Sequence, residues 1–401
     1  MENLFIARQP IYDRNMNVMG YELLYRSGNM DYAQFDDGNL ASCETILNSF
    51  MHIGIDTLTG SSLAFVNLPQ LFITNEALTP MLREQCVLEI LEDVKPTAEV
   101  IEGLKRLKHE GYLIALDDFE FNDNTEKFLK FADFVKLEVL DKSEQEISLQ
   151  LDQLKAYPVK IVAEKVQTQE MQQICENLGF DYFQGFFFCR PQVVTQKTMP
   201  ASKAVVFNLL SKLQNPDVDF NEIEAILAQD VSLSYKLLRY INSAAFAFRR
   251  EIDSLKDAAV LLGLSNIKNW VTLILMSKLT DDKPTELIVI AMIRGKMCEL
   301  LANKLNPKIS PQMFIIGLFS ILDALMDTPM IELLDDITLS IPAKMALLDQ
   351  SGEHGEIYKK VLMYEQMEWN QLANTDIPPG ELAQAYLTAV HWADESMKAI
   401  A

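Results

Sequence analysis

Short apolar runs punctuate the first half of the chain, and each ends in a residue able to hold a metal ion or a phosphate. They read Tyr21-Glu22-Leu23-Leu24-Tyr25-Arg26, Phe65-Val66-Asn67, Val87-Leu88-Glu89, Ala115-Leu116-Asp117-Asp118-Phe119, Val135-Lys136, Val162-Ala163-Glu164 and Phe183-Gln184-Gly185. One fold puts chemistry at the C-terminal ends of successive strands, the α/β class (β/α)8 barrel of the TIM type. Strands are predicted over 4–11, 19–26, 62–68, 86–91, 112–118, 133–138, 159–164 and 181–188. Helical patterns lie between them at 39–55, 97–110, 143–156 and 168–178, with Gly111 and Gly179 placed where helices commonly stop. Strands joined by crossover helices imply parallel pairing. Neither GxGxxG nor GxxxxGK[ST] occurs, which weakens the nucleotide-fold alternatives.

From about residue 200 the strand signal disappears. Helices are predicted at 201–213, 220–229, 232–243, 255–262, 265–279, 285–304, 311–326, 341–349, 354–373 and 380–399. Ser254 and Ser265 read as N-caps, Asp257 as a first-turn acid, and Gly263 as a stop. Pro200-Ala201-Ser202 reads as a junction. The chain therefore divides into a barrel domain at 1–197 and an all-α domain at 198–401. Met292, Met297, Met313, Met326 and Met330 could line an adaptable contact surface. Methionine at helical spacing more commonly fills a core.

The formal net charge of −22 argues against sequence-independent binding to DNA or RNA, and against docking on anionic lipid. An anionic substrate would be repelled unless metal ions or local Arg and Lys reverse the field at its site. The 5 cysteines are scattered without a CxxC pair, as expected for reduced, buried thiols in a cytoplasmic protein. The 4 histidines lie far apart, which argues against zinc. The N-terminus lacks the pattern of a signal peptide, and no apolar run is long enough to span a bilayer.

If the strand ends converge, Glu22, Asn67, Glu89, Asp117, Asp118 and Glu164 offer hard oxygen atoms only. That donor set selects Mg2+ or Mn2+, as one or two ions, over zinc or copper. Two such ions can generate a hydroxide and clamp a phosphodiester, and adjacent carboxylates such as Asp117 and Asp118 can each face a different ion. Lys136 could orient the attacking water or hold a phosphate oxygen. Arg26 could take other phosphate oxygens, and Gln184 could anchor a water or a base edge. A lone acid at a strand end commonly caps a helix, so the argument rests on the joint pattern.

These residues resemble the EAL-domain family of cyclic di-GMP phosphodiesterases. The Glu-Ala-Leu-x-Arg signature matches Glu22-Leu23-Leu24-Tyr25-Arg26, and the family's Asn, Glu and Asp-Asp-Phe-Gly match Asn67, Glu89 and Asp117-Asp118-Phe119. Lys-Ile-Asp matches Lys136-Leu137-Glu138, Ala-Glu-Gly-Val-Glu matches Ala163-Glu164-Lys165-Val166-Gln167, and Gln-Gly-Tyr matches Gln184-Gly185-Phe186, before Arg190-Pro191. The resemblance implies Mg2+- or Mn2+-dependent hydrolysis of cyclic di-GMP to pGpG. It implies metal ligands at Glu22, Asn67, Glu89, Asp117, Asp118 and Glu164, and catalytic roles for Lys136, Glu164 and Gln184. Substrate contacts are implied at Leu24, Arg26, Gln184, Phe186 and Pro191. Two loops depart from the pattern. Glu120-Phe121-Asn122-Asp123-Asn124 stands where the family has a Gly- and Ser-rich loop, and Lys165 and Gln167 replace Gly and Glu.

The second half resembles the HDOD family, relatives of HD phosphohydrolases without the catalytic pair. Asp230-Val231-Ser232-Leu233-Ser234 and Leu237-Leu238-Arg239-Tyr240-Ile241-Asn242-Ser243-Ala244 carry the match. Gly317-Leu318-Phe319-Ser320-Ile321 stands where a catalytic relative shows Gly-Leu-Leu-His-Asp. The resemblance implies a bacterial signalling protein with a non-catalytic module that binds an as yet unknown protein partner. It leaves open a homodimer formed through the loop after Phe119, and a barrel that serves as a nucleotide sensor or scaffold without turnover.

Overall fold

Eight strands close into a barrel in the order β1 to β8. The computed structural model describes residues 4–27, 54–75, 83–185, 201–228, 231–242, 252, 254–280, 283–372 and 375–400. They fall into two units, one within Glu2–Phe188 and the other within Cys189–Ala401. Most of the helix expected at 39–55 lies outside the described residues, as do Cys43, Phe186, Cys189, Pro191, Asp230, Ser243 and Ala244 and the side chain of Arg26.

The strands are β1 (Leu4–Asp13), β2 (Val18–Ser27), β3 (Leu63–Leu68), β4 (Cys86–Ile90), β5 (Leu113–Leu116), β6 (Phe134–Glu138), β7 (Lys160–Glu164) and β8 (Tyr182–Gln184). Helices α1 (Ile55–Thr59), α2 (Gln70–Thr74), α3 (Ala98–His109), α4 (Glu126–Leu129), α5 (Glu144–Leu154) and α6 (Gln169–Leu178) lie between them. From β2 to β8 every pair is parallel. The first strand overturns the expectation of parallel pairing, because β1 runs antiparallel to both β2 and β8. The cause is the length of the connection. A parallel crossover needs about a dozen residues, and only Arg14–Asn17 separates β1 from β2. That turn is closed by Asp13, whose Oδ1 accepts from the backbone N–H groups of Asn15 and Asn17, both at 2.8 Å.

Helix ends follow local chemistry. Ser143 and Glu146 form a reciprocal capping box at the start of α5, and Thr97 and Thr168 cap α3 and α6. Gly179 ends α6 in the left-handed region at φ 105°.

The barrel interior is packed by Ile11, Phe65, Val87, Ala115, Phe134 and Val162, with the Phe65 and Phe134 rings edge-on at 5.3 Å. Side chains two apart on a strand share a face. Phe65, Val87, Phe134 and Val162 therefore set the direction of Asn67, Glu89, Lys136 and Glu164, one layer nearer the C-terminal mouth.

The second unit is helical: α7 (Ala201–Gln214), α8 (Phe220–Ala228), α9 (Val231–Ile241), α10 (Leu255–Leu262), α11 (Leu264–Ser277), α12 (Glu286–Leu305), α13 (Ser310–Phe319), α14 (Leu322–Met326), α15 (Met330–Asp336), α16 (Ile341–Asp349), α17 (Gly352–Glu365), α18 (Trp369–Leu372) and α19 (Pro379–Ile400). Ser254 caps α10 through Asp257 N–H as expected, and Gly263 ends that helix. Ser265 is no cap: Gly263 also opens α11, which places Ser265 inside it. The helix expected at 311–326 breaks at Ser320, whose hydroxyl donates to Gly317 O at 2.7 Å in place of regular helix geometry. The helix expected at 354–373 breaks near Met367, at φ 60°. An unforeseen helix, α15, begins after Pro329, whose fixed φ suits a helix start. The methionines form no contact surface: Met292, Met297, Met313 and Met326 are buried in the core, and Met330 is half-buried. Helices α12 and α13 approach closely, since a Cβ on Gly317 would lie 2.3 Å from Gly295 N. Cys86, Cys175 and Cys298 are free and buried. No single helix among the described residues is long and apolar enough to cross a membrane.

Phe65→Ala removes one of the two phenylalanine rings from the barrel layer. It should cost about 3–5 kcal/mol, read as a lower urea midpoint for the barrel transition. An unchanged midpoint would mean that the layer does not support the barrel.

Candidate active site at the barrel mouth

Parallel register aligns the polar strand ends. Asn67 lies opposite Glu89, and Glu138 opposite Glu164. Asp117 follows β5 directly, with its N–H bonded to Ile90 O at 3.0 Å. Phe119 N–H bonds to Lys136 O at 3.0 Å, so residues 117–119 are clamped between β4 and β6.

Lys136 is fully buried, and its ammonium is shared by four acids. Its Nζ lies 3.1 Å from Glu22 Oε2, 2.9 Å from Glu89 Oε1, 2.8 Å from Asp117 Oδ1 and 2.9 Å from Glu164 Oε1. Gln184 Nε2 donates to Glu22 Oε2 at 2.5 Å and to Gln9 Oε1 at 3.0 Å. Glu22, Glu89 and Asp117 present carboxylate oxygens within 4.8 Å of one another. Glu89 Oε2 and Glu164 Oε2 are buried without a hydrogen-bond partner among the described residues.

One ammonium does not balance four carboxylates, and proton affinities rise accordingly. Burial, then the Glu22 and Asp117 charges, hold the Glu89 carboxyl well above its ordinary range against the pull of Lys136. Burial, followed by the Asp117 and Glu22 charges, pushes Glu164 up to about 8. Burial alone would discharge Lys136, but its four acidic neighbours keep it protonated.

Of the residues singled out in the sequence, Glu22, Glu89, Asp117, Lys136, Glu164 and Gln184 meet in this cluster. Asn67 sits beside it in register with Glu89. Asp118 turns elsewhere: half-exposed, it lies 4.0 Å from Lys165, and burial and Asp117 raise its carboxyl. Leu24 lies on β2 past Glu22, half-buried. Three neighbours went unassigned in the sequence. Gln9 was detectable only as a polar residue amid the apolar β1, and Glu138 and Lys165 stood inside quoted motifs without a role.

A cavity of about 460 Å³ opens beside the cluster, lined among others by Asp117, Asp118, Phe119, Glu138 and Lys142. The glycine-free loop after Phe119 organises itself through side chains. Asn122 Oδ1 accepts from the N–H groups of Asn124 and Thr125 at 2.9 and 3.2 Å, and Thr125 Oγ1 donates to Glu120 O at 2.6 Å. None of residues 119–125 has positive φ; the left-handed turn is made at Asp118, φ 40°. Gly185 passes so near β7 that a Cβ there would lie 2.0 Å from Val166 O.

In the helical unit, Ser320 stands where a catalytic relative would carry a metal-binding His. Its Oγ accepts from Arg294 Nη1 at 3.0 Å, while Arg294 grips Glu365 through two bonds of 2.6 Å. Among the described residues, no group of three metal-binding side chains forms in this unit.

A family model of the EAL domain matches residues 44–191, and one of the HDOD domain matches residues 199–353. The chain is 31% identical to the cyclic di-GMP phosphodiesterase CdgJ of Vibrio cholerae, over 98% of this chain and 93% of that protein. It is also 31% identical to the uncharacterized protein YuxH of Bacillus subtilis, over 99% of each. Among solved structures, the Klebsiella pneumoniae BlrP1 calcium/cy-diGMP complex covers 47% of this chain and 56% of its own, at 20% identity and a TM-score of 0.39. An EAL domain protein from Listeria monocytogenes EGD-e covers 46% of this chain and 87% of its own, at 21% identity and a TM-score of 0.37. With both domain models matched in sequence order, and near full-length relatives above 30% identity, the chain belongs to the EAL-domain family, in the branch that carries a C-terminal HDOD domain.

Proposed function

We propose that the barrel binds divalent metal and cyclic di-GMP and hydrolyses the dinucleotide to pGpG. The observation that carries this is the buried meeting of Glu22, Glu89, Asp117 and Glu164 around Lys136, with carboxylate oxygens left over. Glu89 Oε2 and Glu164 Oε2 find no donor among the described residues, and burying such atoms unpaired is costly. The donor set is hard oxygen throughout, so Mg2+ or Mn2+ fits it. Glu22, Glu89 and Asp117, whose carboxylate oxygens already converge, would hold it, with Asn67 and Glu164 beside them, whereas Asp118 would have to leave Lys165 to join. When bound, the ion supplies a Lewis acid for the phosphate and acidifies a coordinated water.

The side chains divide the remaining work. Lys136 stays charged, and its three N–H groups, here shared among four acids, would turn to the attacking water or to a phosphate oxygen once a bound ion draws those carboxylates off. Glu164 has an unpartnered oxygen and a raised proton affinity, so it can take the proton that the water loses on adding to phosphorus. Gln184, fixed by Gln9 and Glu22, can anchor a water beside Glu22. The acids at the mouth outnumber the lysines, so the bound ion would be what makes the field favourable to an anionic substrate. CdgJ, the relative cited above, is named for this activity.

The helical unit acts as a regulatory and protein-interaction module. Ser320 cannot replace a metal-binding His, and its hydroxyl is already engaged by Arg294.

The purified chain, incubated with Mn2+ and cyclic di-GMP, should release pGpG by chromatography. Glu164→Gln should slow release by about 10²–10⁴-fold with an unchanged circular dichroism spectrum. Nucleotide binding without pGpG would reduce the barrel to a sensor, and neither binding nor product would leave a scaffold.

Ion binding should follow the Glu164 proton. The folded-state value of about 8 lies above the ordinary glutamate value of 4.5, so the metal-free protein loses stability as pH rises from about 4.5 to about 8. Below about pH 8 the proton competes with the ion. Mn2+ should therefore raise the Tm more at pH 8.5 than at pH 6.5. An equal rise at both would remove Glu164 from the ligand set.

A further inference from the structure

The two aspartates that follow β5 face different cations. Asp117 Oδ1 meets Lys136 at 2.8 Å inside the barrel. Asp118 Oδ1 lies 4.0 Å from Lys165 Nζ, and Lys165 donates to Glu138 Oε2 at 2.7 Å. Asp118 is absent from the group of carboxylates that converge within 4.8 Å, which holds Glu22, Glu89 and Asp117. The mouth thus has an inner acidic group around one lysine and an outer pair of acids around another.

Lys165 occupies a position that disfavours it. Its φ is 56°, in the left-handed region that glycine adopts freely and a long side chain does not. The backbone on both sides is pinned: Val139 N–H bonds to Glu164 O at 3.2 Å, and Val166 N–H to Gln184 O at 3.0 Å. Asp118 is held at φ 40°. Two non-glycine residues in left-handed backbone therefore bring opposite charges toward each other, with Lys165 held against Asp118 and Glu138, which line the cavity. Strain held by surrounding structure at a pocket points to a use for the side chain. What Lys165 adds over glycine is a tethered positive charge beside Asp118 and Glu138.

We propose that Lys165 is a built-in cation that takes the place of a second divalent ion, so that the pocket holds one ion, at Glu22, Glu89 and Asp117. This rests on the metal-binding reading above and specifies its stoichiometry. An ammonium and a dication about 4 Å apart repel even in bulk water by a factor of about thirty; four carboxylates around Lys136 outweigh that repulsion at the inner group, whereas only Asp118 and Glu138 face Lys165. The substrate phosphate then meets one exchangeable cation and one that is part of the chain.

The test is the number of Mn2+ ions bound per full-length chain, by calorimetry, together with electron paramagnetic resonance. Two ions a few ångströms apart broaden each other's spectrum, and a single ion does not. The native chain should bind one Mn2+ tightly, with any second at least about thirtyfold weaker. Lys165→Arg, which keeps the charge, should also bind one. Lys165→Gly, which suits φ 56° and removes the charge, should bind two of comparable affinity with a coupled spectrum. Two ions of similar affinity in the native chain, or a single ion in Lys165→Gly, would overturn the proposal while leaving the phosphodiesterase reading intact. Failure of all three proteins to bind Mn2+ would overturn both.

Discussion

One buried ammonium holds the barrel mouth together. Lys136 has no solvent of its own, and four carboxylates, three from other strands and one from Asp117 just after β5, reach it within 3.1 Å. Either side of that arrangement alone would be untenable, because an isolated buried charge costs far more than a folded domain can spare. Together they fix the side-chain directions of β2, β4, β6 and β7 and of Asp117 after β5. The arrangement stays electron-rich, with carboxylate oxygens left unpaired among the described residues. The same charge imbalance that weakens the site as a structural element fits it to attract a cation.

The layer beneath makes this possible. Phe65, Val87, Ala115, Phe134 and Val162 fill the interior two residues before the polar set. The alternation of a pleated strand converts that packing into aim. A site residue here needs no loop to position it, because its orientation follows from the apolar neighbour below.

This is also why so much of the site was legible in the sequence. An apolar run ending in an acid records both the strand and its terminal function. Glu22, Glu89, Asp117, Lys136, Glu164 and Gln184 could therefore be listed together before their distances were known. The antiparallel β1 was not foreseen, because strand patterns carry no direction and only the short Arg14–Asn17 link excludes a parallel crossover. Nor could the sequence divide Asp117 from Asp118. That depends on φ 40° at Asp118, which sends the second carboxylate toward Lys165. Ser265 failed as a cap because Gly263 both ends α10 and opens α11, a boundary that residue type alone does not fix, whereas the core reading of Met292, Met297, Met313 and Met326 agrees with their burial.

The reversed first strand has a consequence for how the unit comes into being. Because β1 pairs with both β2 and β8, Tyr12 must find Phe183 across nearly the whole barrel sequence before the ring can seal. Pairing between such distant segments is slow, since a long loop must be closed first. A nascent chain leaving the ribosome can form the β1–β2 hairpin at once, yet it carries an open sheet edge until Gln184 emerges.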